Sequence, residues 1–377
     1  MITRIKIDNF KSLVDFKMEL AQFNCIIGLN SSGKSTTLQA MDFVSQLMSG
    51  DIDGWLSMRN WDSSDLNSKL TNKSNIDYTI ELEIDGDDVV WTGSFNRTTK
   101  SCTKESILEN GKKLLSVESG WYTLNDEKRR RIEFKYQGSI LSRLKESPKQ
   151  VTLKKVKDSI LHIRSLDLIS PELLRSQSRA SGGRLGLGGE KLSAYIHEAG
   201  PEAKARLTHL LMKVYPHLSD INTKSIRSGW KQLEISESFN SKSLISTARH
   251  INDGILRLMA ILLQLDIGKA FLLFDEIENG INPELVEFLV DELVNSNDQV
   301  MVTTHSPMIL NFLEDNVAKA GVTYLYKNDA GATKAIRFFD IPSIARKLEF
   351  MGPGEAFIDT KLTELYREIQ ELELKEA

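Results

Sequence analysis

"GLNSSGKST", residues 28–36, is the stretch on which the reading of this chain turns. It fits G-x-x-x-x-G-K-[ST], and its context is the one that pattern needs. FNCIIG, 23–28, is a short apolar run ending in glycine, as a buried central strand would be. From about Lys34 to Met48, Leu38, Met41, Phe43, Val44 and Leu47 give one apolar helix face. A glycine-rich turn between strand and helix lets backbone N–H groups wrap a β-phosphate, and the helix N-terminus adds partial positive charge. ATP with Mg²⁺ is therefore the expected ligand. Lys34 is expected to reach the β- and γ-phosphates, and Ser35 to hold Mg²⁺ through its hydroxyl. Asn30, Ser31, Ser32, Gly33 and Thr36 complete the predicted cradle.

Outward from this loop, ITRIKID (2–8) alternates as a half-buried strand, and a second strand is expected over 15–20. Residues 50–75 are polar and read as a loop. IDYTIELEID (76–85) and DVVWTGSF (88–95) read as an antiparallel hairpin turning at Asp85-Gly86-Asp87. From about 100 to 245 the pattern is mixed, as an insertion would be. Within it RSQSRASGGRLGLGGEK (175–191) reads as a mobile loop followed by helix. From 254 onward a helix (254–266), a strand (269–276), a helix (283–295), a strand (299–305) and a helix (307–313) alternate, which predicts an α/β fold with a mostly parallel sheet.

Three further segments carry chemistry. KAFLLFDE, 269–276, is an apolar strand ending in two carboxylates: Asp275 is expected to orient the Mg²⁺ shell and Glu276 to polarise the attacking water as general base. TTHSP, 303–307, places His305 at the end of the next strand, where it could sense a γ-phosphate. INDGILRL, 251–258, begins a helix with capping residues but puts Gly254 inside it, at a cost of about 1 kcal/mol against alanine.

The 377 residues are 41% hydrophobic, enough for a sizeable core. There is no apolar stretch long enough to span a membrane and no apolar run after the first charges, so a cytoplasmic location is expected. Cys25 and Cys102 form no framework, and the six histidines show no metal-ligand spacing. A net charge of −4 argues against a general nucleic-acid match, so any such contact must be local. The candidate is the basic region 128–157, opening at DEKRRRIEFK (126–135) and continuing through Arg143, Lys145, Lys149, Lys154, Lys155 and Lys157; it is read as a charged face without interleaved aromatic rings. TKLTELYREIQELELKEA, 360–377, reads as a helix with Leu362, Leu365, Ile369 and Leu372 on one stripe.

The order of phosphate loop, insertion, INDGILR, acidic strand end and strand-end histidine resembles the ATP-binding-cassette (ABC) ATPases. In that family the segment before the acidic strand binds the γ-phosphate held by the opposite subunit. The resemblance implies that Asn252 stands where the family has its signature serine, that Gly254 admits the phosphate, and that two heads sandwich two ATP molecules. IDNFKSL resembles the opening of RecF, SMC and OLD-like ATPases and places Lys11 and Ser12 beside the nucleotide. DEIENGINP resembles the acidic segment of that branch, with Asn279 and Gly280 at the dimer interface. Asn72 stands in for a glutamine that helps bind Mg²⁺ in the family. On this reading residues 1–99 and 245–350 are the two halves of an ABC-type ATPase head, 100–244 a lobe, and 351–377 a terminal helix. The insertion is too short for an SMC coiled coil, and no Asp-x-Asp of a Toprim domain follows His305. The chain therefore resembles the small stand-alone ATPases (AAA_21-like) of bacterial defence systems such as PARIS or Septu. That resemblance implies a homodimer, a separately encoded effector such as a nuclease, and an ATP-driven switch. A RecF-like DNA-binding repair protein is the alternative.

Overall fold

The structure is a computed structural model and describes residues 1–376 apart from 126, 146, 149, 168, 241 and 266–268, with side chains described as far as Leu372. The N-terminal part opens with β1 (Ile2–Asp8), β2 (Phe16–Glu19) and β3 (Phe23–Gly28), and all six residues of β3 are buried. α1 (Lys34–Ser49) follows the glycine-rich turn. The region read as loop over 50–75 contains a second helix, α2 (Ile52–Arg59). Asp51 caps it, accepting from the Gly54 N–H at 3.0 Å. Its apolar face is only Ile52, Trp55 and Leu56, too few to raise the average of a polar stretch. Asp42 of α1 fixes it: the carboxylate accepts from the Trp55 indole at 2.7 Å and pairs with the buried Arg59 at 2.6 Å.

β4 (Asn75–Ile84) and β5 (Asp87–Asn96) form the expected hairpin. Asp85 and Gly86 both take positive φ, as the mirror-image turns that suit strand twist demand. The sheet runs on through β6 (Ser101–Glu109), β7 (Lys112–Glu118), β8 (Trp121–Leu124) and β9 (Arg130–Arg131), giving eight strands in the order β2-β1-β4-β5-β6-β7-β8-β9. Its neighbouring strands all run antiparallel. The inward rows, including Ile5, Ile80, Trp91 and Ile107, are buried completely.

The chain then forms α3 (Val151–Leu161), β10 (Ile163–Leu166), α4 (Pro171–Leu174), α5 (Leu192–Glu198) and α6 (Gly200–Met212). A three-stranded antiparallel sheet, β11 (Leu218–Ser225), β12 (Lys231–Phe239) and β13 (Lys242–Thr247), leads to α7 (Asp253–Leu262). The run 175–191, expected to be mobile, is tied down instead: the Glu198 carboxylate accepts from the Ser181 N–H and hydroxyl, and Arg175 pairs with Asp253. Next come β14 (Phe271–Phe274), α8 (Pro283–Val294), β15 (Gln299–Thr303), α9 (Pro307–Asn311), α10 (Asp315–Gly321), β16 (Val322–Lys327), β17 (Thr333–Arg337), α11 (Pro342–Lys347), α12 (Pro353–Ile358) and α13 (Leu362–Glu376).

The chain divides into two compact units, residues 1–164 with 269–271 and 301–377, and residues 165–268 with 272–300. In the first, β3 lies between β15 and β16, with β17 beyond. β16 runs parallel to β3, and β17 antiparallel to β16. Here α13 packs on its own unit, burying Leu365 and Ile369 and accepting the Tyr324 hydroxyl at the Leu362 carbonyl, 3.3 Å. In the second unit α5 and α6 cover the three-stranded sheet.

Candidate functional site

In the first unit β3 delivers the chain into the glycine-rich turn with no exposed residue from Phe23 to Gly28. Gly33 has φ +111, and a Cβ there would meet the Thr333 hydroxyl at 2.4 Å, so only glycine fits. Lys34 is buried, its ammonium donating to the Gly28 carbonyl at 2.9 Å and the Leu29 carbonyl at 3.2 Å. Asn30, Ser31 and Ser35 are exposed and Thr36 half-buried. The buried Ser32 hydroxyl makes no hydrogen bond.

Thr333 holds this turn in place, and nothing local in the sequence marks it. Its hydroxyl donates to the Ser32 carbonyl at 2.9 Å, lies 2.8 Å from the Ser12 hydroxyl, and accepts from Lys327 at 2.9 Å. Its N–H donates to the Ser12 carbonyl at 2.8 Å. Burial lowers the pKa of Lys327. The structure thus brings Ser12 to the phosphate loop. Lys11 goes elsewhere: its ammonium lies 3.3 Å over the Trp61 ring and donates to Gln39 of α1 at 2.8 Å. His305 is exposed just beyond β15, following Thr304, whose N–H donates to the Ile26 carbonyl of β3 at 3.1 Å. Asn72 is exposed and lines a polar cleft with Asn67, Ser68, Arg97 and Thr98; no residue of 28–36 lines it.

In the second unit β14 is followed by Asp275, half-buried, and Glu276, exposed with φ 46. A left-handed glutamate stores backbone strain of the kind found at working sites. Asn279 steadies it, its N–H donating to the Glu276 carbonyl at 2.9 Å and its amide to the carboxylate at 3.4 Å. Asn252 caps α7, accepting from the Gly254 N–H at 2.8 Å. Gly254 has a reason inside its own chain: a Cβ there would lie 2.8 Å from the Gly280 carbonyl. Arg257, one turn further, is buried with no partner for its Nε. Burial pushes its pKa down, while the charges of Glu276 and Glu278 push it up. A lone arginine in ILRLMAILL was the sequence signal that it serves the acidic loop.

Among the described residues no three His, Cys, Asp or Glu side chains form a metal cage. Within the first unit the exposed Ser35 hydroxyl suits Mg²⁺, which keeps waters and takes its remaining ligands from phosphates.

In the basic region Lys128–Arg131 are exposed, Lys155 pairs with Asp85, and Lys149 lies outside the described residues. The expectation of no aromatic rings is corrected. Trp121, 38% exposed, carries the Arg129 guanidinium 5.3 Å from its ring, and Phe134 and Tyr136 sit 6.1 Å apart beside Lys135. Strand pairing of β8 with β9 brings Trp121 opposite Arg131, a neighbour the linear pattern hides.

The family model AAA_15, "AAA ATPase domain", matches residues 1–254. This chain is a member of the AAA ATPase domain family. A second model, AAA_21, an AAA domain whose description also mentions the AbiEii toxin and type IV toxin–antitoxin systems, matches residues 240–311. No curated protein matches this AAA ATPase. Among solved structures it is similar to an SmcHead bound to the C-winged helix domain of ScpA, with TM-score 0.57 and 16% identity over 89% of this chain and 97% of that one. It is also similar to the Smc head domain with an extended coiled coil bound to the C-terminal domain of ScpA from Pyrococcus furiosus, with TM-score 0.56 and 14% identity over 92% and 99%. The AAA ATPase therefore has an SMC-head-like P-loop fold, as the ABC-head reading expected. No helix among its described residues is long and apolar enough to cross a membrane.

Proposed function

We propose that this AAA ATPase hydrolyses ATP and works as a switch, two copies closing on two nucleotides. The observation that carries the reading is the prefolded phosphate loop, with Gly33 pressed on Thr333 and Lys34 lying along the loop's own carbonyls. A γ-phosphate offers Lys34 a stronger, charged acceptor than those neutral carbonyls. Loop N–H groups and Lys34 orient the triphosphate, Ser35 and Asp275 would hold Mg²⁺, and Glu276 takes a proton from the attacking water. Mg²⁺, when bound, neutralises charge on the β- and γ-oxygens. His305 contacts the γ-phosphate. Asn252 and Gly254 of the second copy complete each site, and loss of the γ-phosphate on hydrolysis lets the dimer open. ATP thus shifts a population between two states.

The output passes to a separately encoded effector, as in the defence systems this chain resembles. Two observations support a protein partner: the similar Smc heads are seen with ScpA, and the AAA_21 description mentions toxin–antitoxin systems.

Steady-state hydrolysis and nucleotide binding by Glu276→Gln test the core of the proposal. Turnover should fall by about 10²- to 10⁴-fold with ATP affinity retained. Unchanged turnover would remove Glu276 from the base role.

Trp121 beside Arg129 and Arg131, with Phe134 and Tyr136 flanking Lys135, favours a second reading, nucleic-acid binding in the RecF manner. It predicts ATP-dependent affinity for single strands that falls steeply with salt, and that Trp121→Ala weakens. Salt-insensitive or absent binding would dismiss it.

A further inference from the structure

A cleft of about 570 Å³ opens within the second unit, beside the residues that lead into INDGILRL. That volume lies in the range of small-molecule sites, about 300–1,000 Å³. Arg175 and Arg249 line it, and no carboxylate does. The Trp230 ring, 37% exposed, forms one wall, with the Arg179 guanidinium 5.1 Å from its centroid. The side-chain amides of Gln177 and Gln232 meet on the lining at 3.4 Å. Arg249, which no ion pair among the described residues neutralises, and Arg175, whose carboxylate partner Asp253 lies off the lining, select an anion, and phosphate matches their fork. An accessible indole selects a flat aromatic ring. Primary amides can both donate to and accept from a base edge. One small molecule carries all three features.

We propose that this cleft binds a nucleoside monophosphate, base against Trp230 and phosphate between Arg175 and Arg249. The site is formed wholly by residues of the second unit, whereas loop 28–36 belongs to the first. It is wired to the start of α7. Arg175 donates to the Ile251 carbonyl at 2.8 Å and pairs with Asp253, the residue between Asn252 and Gly254. A phosphate drawing on Arg175 competes with Asp253 and loosens the segment proposed to meet a second copy's nucleotide. That regulatory effect rests on the ATP-switch reading; the binding itself does not.

The experiment is calorimetric titration of the full-length Lys34→Ala chain, in which the phosphate loop is disabled, with AMP, GMP, CMP, UMP and inorganic phosphate. At least one nucleoside monophosphate should bind about tenfold or more tightly than inorganic phosphate, and Arg249→Ala and Trp230→Ala should each weaken it about tenfold or more. Trp230→Phe, which keeps a ring, should restore most of the affinity and guards against a folding defect. Equal affinity for nucleotide and inorganic phosphate, or binding indifferent to both alanine variants, overturns the proposal. So does affinity that climbs with oligonucleotide length, which would make the cleft a groove for a strand. In the wild-type chain the bound monophosphate should change ATP turnover. If it binds without that effect, the switch coupling fails and the site stands.

Discussion

Thr333 shows what a single residue contributes to the phosphate loop. One hydroxyl touches Lys327 of the neighbouring strand and, some three hundred residues away, Ser12 and Ser32. Thr333→Val keeps the shape and deletes these bonds, leaving buried polar groups unmatched at about 1–3 kcal/mol. Thermal unfolding should show that loss, ATP affinity should fall with it, and Thr333→Ser should recover both. A valine variant with wild-type melting and affinity would show that the loop stands without this tie. The loop itself was legible in the sequence because its glycine, lysine and serine are fixed by local backbone and charge requirements. Thr333 was not, since a threonine in TKAIR looks like any strand residue and its partners on the loop side, Ser12 and Ser32, lie some three hundred positions away. Gly254 was legible as an anomaly and ambiguous in cause. It was read for a phosphate, and the Gly280 carbonyl supplies a sufficient steric reason in cis. A bulky replacement at Gly254 therefore disturbs its own chain first and is a poor probe of a second one.

Among the elements, α2 is the one the linear pattern concealed. The Asp42 carboxylate holds both Arg59 and the Trp55 indole, and Trp61 beyond them sits between the Lys11 ammonium and the Arg59 guanidinium, 3.3 and 5.0 Å from its ring. The pair is almost fully buried, so removing one partner strands the other charge. Asp42→Ala should destabilise by about 3–5 kcal/mol, visible in urea unfolding, while Asp42→Leu with Arg59→Met should recover most of it. A double variant as unstable as the single would mean that geometry, and not the orphaned charge, dominates. Strands β1, β2, β4 and β5 and helices α1 and α8 were readable because their apolar residues recur with periods near two or 3.6, and β3 and α7 because they are continuous apolar runs. The antiparallel sheet beyond residue 99 was less so. In β6 the buried Glu105 replaces an apolar position, accepting from the Trp91 indole, the Ser139 hydroxyl and the Ile140 N–H. The stripe on α13 was legible, and the structure assigns its Leu365 and Ile369 to their own unit.

For the whole molecule the decisive matter is whether one catalytic centre needs two chains. Mixing answers it. A Lys34→Ala chain lacks a working loop, and an Asn252→Lys chain lacks a working signature segment; each alone should be nearly inactive. If the parts come from opposite chains, a mixed dimer holds one intact site, and the mixture should hydrolyse ATP well above either alone. A mixture no more active than its components would place the site within one chain. Sequence order could suggest this arrangement but not establish it, because loop and signature lie more than two hundred residues apart and either geometry satisfies the same motifs.

The position of β3 also shapes how the protein is made. The strand that ends in the phosphate loop leaves the ribosome about 270 residues ahead of its two neighbours, β15 and β16, at 299–303 and 322–327. At about 5–20 residues per second, FNCIIG waits on the order of fifteen seconds to a minute with both edges unpaired. Such an apolar segment with open edges invites association with other chains. The nascent protein thus depends on shielding of β3 until β15 and β16 emerge, and a chain arrested before residue 299 lacks both flanking strands.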